Sequence, residues 1–155
     1  MSGGGPFKGA FRHQHGEPQS LRERIDAQLG ERIEEAVEMA ALELMVETRK
    51  RQQKALPEEN NSRDRAEFHA TAEEMLEHLD RAFRSALSPA DLEALDLATR
   101  AQTPDVHAQR LAGQVFLAKR LPDYWQRFET HRAELASARL GAAASEGWLK
   151  RLFRG

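Results

Sequence analysis

One apolar stripe limits what this chain can become. Leu21, Ile25, Leu29, Ile33, Val37, Ala40 and Leu44 recur every three to four residues with no proline among them. That spacing places all seven on one face of an α-helix. Up to residue 32 the intervening positions are mostly charged or polar: Arg22, Glu23, Arg24, Asp26, Gln28, Glu31, Arg32. From Ala36 onward Met39, Ala41, Leu42, Met45 and Val46 widen the apolar surface, and residues 33–46 become the least polar run in a polar protein. A helix apolar on one stripe lies on a core, whereas one apolar nearly all round is covered on several sides. The run is expected to be a central rod with partners on at least two faces. Either those faces are plain core, or Met39, Leu42, Met45 and Val46 form a protein interface, a homodimer included. Methionine suits an adaptable contact surface and an ordinary core alike.

The rest of the chain reads as further helices. Ser20, with Glu23 at the capping-box position, opens the first, expected to run to about Ala55 and to stop before Pro57. Its basic end, TRKRQQK, suits a helix C-terminus without any ligand. PEENNS is a polar break. A second helix is expected from about Ser62 to Leu87. There Phe68, Met75 and Ala82, and likewise Ala72, Leu79 and Ala86, stand seven apart, a heptad that implies antiparallel packing beside the first helix. SPADLEAL carries a cap at Ser88, a proline in the first helical position and Asp91 where a capping box wants an acid. This third helix is short, ends near Gln102, and should turn Leu92, Leu95 and Ala98 inward. Thr103-Pro104-Asp105 repeats that start signal and opens a fourth, which Pro122 should end or kink. A fifth resumes the period at Leu121, Trp125, Phe128, Leu135 and Ala138, with Tyr124 and Trp125 as a core plug at the corner. No period-2 run of β-branched residues argues for a strand. The expected fold is all-α: a four- to five-helix bundle with one long N-terminal helix, a flexible N-terminal arm and a short C-terminal amphipathic helix. Its parts are an arm over 1–19 rich in glycine and proline, a bundle over 20–140, and a linker with a basic tail over 141–155, Gly141 and the alanines after it releasing the chain.

Composition removes several function classes. At 155 residues without cysteine there is no thiol nucleophile, disulfide framework or cysteine-based metal site. The chain contains no G-x-x-x-x-G-K-[ST], no G-x-G-x-x-G and no H-E-x-x-H. A di-iron bundle needs Glu three residues before His on two helices. Ala66, Met75, Pro104 and Phe128 stand there before His69, His78, His107 and His131. The H-x-H pair His13/His15, with Glu17 the single acid nearby and no cysteine, does not make up a complete ligand set. Catalytic residues, metals and cofactors are therefore expected to be none, and the protein is expected not to be an enzyme. The net charge of −2 is unevenly placed. Lys8 and Arg12 make the first sixteen residues +2, residues 139–155 carry +3, and residues 17–138 are left with −7. An acidic body is a poor match for nucleic acid. No run reaches the roughly 18 apolar residues that span a bilayer, and the first residues lack the apolar core of a signal peptide. A cytoplasmic location is the expectation.

The ending SEGWLKRLFRG differs from everything before it. On a helix, Trp148, Leu149, Leu152 and Phe153 fall on one contiguous face, with Lys150, Arg151 and Arg154 off it and Ser145 as a cap. A basic amphipathic helix with tryptophan near one edge has the composition that settles into a membrane interface. The segment resembles the amphipathic membrane-targeting tails of bacterial peripheral proteins, notably the C-terminal tail of the Min-system cell-division ATPases. The resemblance covers about ten residues and implies attachment at the inner face of the cytoplasmic membrane through an anionic surface. The same four apolar residues could instead close the core as its last turn, or dock in a partner's groove. At the other terminus Phe7 and Phe11, four apart between basic residues, are a candidate docking arm. The function expected from these features is a non-enzymatic adaptor or scaffold that binds another protein and attaches peripherally to the membrane by its tail. The alternative is a soluble assembly chaperone or regulatory binding module whose tail serves a partner.

Overall fold

A computed structural model describes residues 20–100 and 105–154, with side chains to residue 142 in the last helix. The helices are α1 (Leu21–Arg51), α2 (Ser62–Ser85), α3 (Pro89–Arg100), α4 (Val106–Arg120) and α5 (Tyr124–Arg154), and no strand occurs among the described residues. The all-α bundle expected from periodicity is the fold observed.

Local chemistry sets most of the boundaries. The Glu23 N–H donates to Ser20 Oγ at 3.1 Å and the Ser20 N–H donates to the Glu23 carboxylate at 3.0 Å, a complete capping box. α1 stops at Arg51, four residues earlier than expected. Gln53 adopts φ 57° there, while the N–H groups of Gln53 and Lys54 donate to the carbonyls of Lys50 and Arg49. This is a Schellman closure built without glycine. Asn61, one residue before the expected start, caps α2 through the Asp64 N–H at 3.0 Å. Ser88 caps α3 through Asp91, and Asp105 caps α4 through His107. Leu121 turns extended ahead of Pro122, which separates α4 from α5.

α1 and α2 form an antiparallel hairpin joined by residues 52–61. α5 lies against both, parallel to α1: Arg32 sits over the Trp125 ring at 4.4 Å near one end, and Arg139 pairs with Glu74 toward the other. α4 packs on α1 and α2, and α3 chiefly on α4. The core joins Ile33, Val37, Ala40, Ala41, Leu44 and Met45 of α1 to Phe68, Ala72, Met75, Leu76, Leu79 and Phe83 of α2. Leu95, Leu117, Tyr124 and Phe128 complete it. Tyr124 is the corner plug expected of it. It stacks on Phe83 with centroids 5.1 Å apart, and its hydroxyl donates to Gln114 Oε1 at 2.7 Å.

Three expectations need correction. Met45 is a core residue, 2% exposed, not part of an outer interface. Ala98 faces solvent, and Leu95 alone of its trio is fully buried. Gly141 does not release the chain: α5 continues through it without a break to Arg154. A glycine in a helix interior costs about 1 kcal/mol, and the alanines after it, with no proline beyond, are good enough helix formers to absorb that.

Candidate interaction surface

Two of the remaining interface candidates on α1, Leu42 and Val46, are half-buried, while Met39 is 62% exposed. Leu42 and Met39 stand three apart and Val46 four beyond Leu42, so they share one helical stripe that Met45 leaves for the core. Phe7 and Phe11 lie outside the described residues. Trp148, Leu149, Lys150, Arg151, Leu152, Phe153 and Arg154 lie on described helical backbone, and their side chains lie outside the description.

The position of that backbone follows from the contacts before it. Arg139 holds the Glu74 carboxylate through two hydrogen bonds, one of 3.0 Å from Nε and a shorter one from Nη2. Glu74 stands twelve residues into α2 from Ser62, and α5 has fifteen residues left beyond Arg139. At 1.5 Å per residue those lengths are about 18 and 22 Å. The last turns of α5, carrying the amphipathic sequence, therefore run toward the closed end of the α1–α2 hairpin.

The hairpin corner at that end is held by one arginine. Arg49 Nη2 donates to Asp64 at 2.8 Å and to Glu67 at 2.6 Å, and Nη1 donates to the Ala55 carbonyl at 3.1 Å. The Glu58 N–H donates to the other Asp64 oxygen at 2.8 Å. The Arg49 guanidinium, with the Glu58 N–H, holds the Asp64 carboxyl below the usual carboxylate range. Lys50 and Arg51 pair with Glu47. Lys54 and Arg63 take part in none of the ion pairs among the described residues, and Arg65 donates only to the neutral Glu59 carbonyl at 3.0 Å. Leu56 stands 51% exposed between them. Lys54, Leu56 and Arg63 border a polar cleft of about 500 Å³.

Sequence reading missed this corner. It took the basic run at 49–54 as complement to a helix end and the loop after it as plain polar linker. A charge count by position was the signal: residues 49–65 hold six Lys/Arg against three Asp/Glu, whereas 33–48 and 66–80 together hold ten carboxylates and no Lys or Arg.

Two histidine clusters tie helices together elsewhere. His107 lies between Glu34 of α1 and Glu73 of α2, and His131 and His78 both approach Glu134 of α5 at 3.0 and 3.7 Å. Among the described residues no three His, Asp or Glu side chains are grouped to hold a metal ion, and no helix is long and apolar enough to cross a membrane. At the far pole of the bundle Leu21 and Ile25, 67% and 48% exposed, border an apolar depression beside Lys119. No family model matches the chain, and neither a curated protein nor a solved structure shows significant similarity to it.

Proposed function

We propose that the protein is a helical adaptor that rests peripherally on an anionic membrane through the end of α5 and binds a partner protein through its helical surface. The observation that carries this is the unbroken run of α5 from the core into SEGWLKRLFRG. Burying Trp148, Leu149, Leu152 and Phe153 is worth about 1.5–3 kcal/mol each. Ordering a free tail of ten residues would cost about 1–2 kcal/mol apiece and offset that gain entirely. A tail propagated from an already folded helix avoids the nucleation step and much of this cost. Lys150, Arg151 and Arg154 add about 1 kcal/mol each near an anionic leaflet. The sum favours reversible attachment. Leu21, Ile25, Met39, Leu97 and Val106 are exposed apolar positions available to a protein partner.

Liposome co-sedimentation tests the reading. The full chain is compared with a truncation after Ser145 and with the pair Trp148→Glu/Phe153→Glu, on anionic and on neutral vesicles. Pelleting of the full chain with anionic vesicles alone, lost in both variants, is the expected result. No pelleting, together with a lower melting temperature for the truncation, would place the tail in the core instead.

A further inference from the structure

The geometry points to a second lipid contact on the α1–α2 corner, residues 52–65: Leu56 enters the acyl boundary while Lys54, Arg63 and Arg65 meet anionic headgroups, and the bundle stands on the membrane by this end. The inference rests on the membrane reading of the tail and adds a site to it. Three independent observations converge. The corner and the last turns of α5 lie on the same side of the Arg139–Glu74 pair along the bundle. Leu56 is a large apolar side chain left half in solvent by the described residues, in the loop that closes the hairpin. Finally, the clasp on Arg49 uses Asp64 and Glu67 internally, and Lys54, Arg63 and Arg65 form no ion pair among the described residues.

Glu58 and Glu59 sit in the same loop and oppose the attraction, but the stretch 49–65 remains net +3, and residues 143–155 add +2. The α1 and α2 segments behind them are strongly acidic. A molecule basic at one end and acidic at its waist is repelled side-on by an anionic surface and attracted end-on. A paired tail and corner also act through effective concentration, since either contact holds the other at the surface.

The test uses the full chain and vesicles of phosphatidylglycerol with phosphatidylcholine, against phosphatidylcholine alone. Lys54→Gln/Arg63→Gln should weaken binding about fivefold for each cation removed, and Leu56→Glu by at least as much, with melting temperatures unchanged. If these corner variants bind like the parent chain while Trp148→Glu/Phe153→Glu abolishes binding, the tail is the sole anchor and the corner inference is overturned, the tail reading standing. If the parent chain does not bind at all, both fall. A second readout is independent of affinity. Because the chain has no cysteine, Leu56→Cys and Met39→Cys can each carry one environment-sensitive dye. A blue shift on anionic vesicles at position 56 and none at position 39 is expected; no shift at position 56 overturns the inference.

Discussion

Replacing His107 by glutamine should make the stability of the bundle less dependent on pH. His107 lies in the first turn of α4, with Nε2 at 3.4 Å from the Glu34 carboxylate of α1 and Nδ1 in ion-pair contact with Glu73 of α2. Burial alone would pull its pKa down; the Glu34 and Glu73 carboxylates outweigh burial and hold it above the ordinary 6.5. The sign follows from linkage. A group protonated more readily in the folded state stabilises fully below its unfolded value, and that contribution is lost as pH rises through the folded value. The staple is therefore complete near pH 6 and fades above it. A hydrogen bond to a charged group is worth about 1.5–3 kcal/mol. Glu34 is 14% exposed and its contact counts nearly in full, whereas Glu73, at 37%, is screened by solvent and discounted. The expected loss in His107→Gln is then about 2 kcal/mol near pH 6. For a chain of this size that is a fall in Tm of about 4–8 °C. Thermal melts of parent and variant from about pH 5.5 to 9, followed by circular dichroism, check it; His78 and His131 are common to both chains and cancel in the difference. A gap that stays constant with pH, or widens as pH rises, would refute the reasoning.

Three further outcomes are expected. Gln53→Gly should raise stability by about 1 kcal/mol in urea unfolding, because φ 57° strains a residue with a Cβ and suits glycine. Gly141→Ala should raise helical ellipticity and add up to about 1 kcal/mol, since a Cβ there meets nothing within 4 Å and alanine favours a helix interior; a drop in ellipticity would contradict an unbroken α5. Tyr124→Phe should cost about 1–3 kcal/mol by leaving the fully buried Gln114 amide without its hydroxyl donor, and adding Gln114→Leu should recover most of that loss, a coupling readable in a double-mutant cycle.

What the sequence shows well is what local chemistry decides. The caps at Ser20 and Ser88 and the break at Pro122 depend on a few adjacent residues, and each was legible; the cap of α4 is Asp105, two residues after the threonine at which its start signal begins. The end of α1 was not, because its closure uses a left-handed glutamine where composition would suggest glycine. Met45 was misplaced for a different reason. Where a helix is apolar nearly all round, periodicity does not say which face a neighbour will cover, and the packing of α2 and α5 decided that. Gly141 was over-read as a stop, although one glycine among alanines is a small penalty against a helix already nucleated. The basic corner was the largest omission. Its cations were visible, but the pairing that leaves Lys54 and Arg63 uncompensated depends on Arg49 meeting Asp64 and Glu67 across the hairpin.

The continuity of α5 has a mechanical side. Over its 31 residues the helix is about 46 Å long, with Tyr124 and Phe128 locked in the core at its root and Arg139 clamped to Glu74 along its shaft. It is a strut without a joint. A force or torque applied at its tip is not absorbed locally but is delivered to the Phe83–Tyr124 stack at its root. Tilt at one end of the molecule is thereby converted into strain at the other.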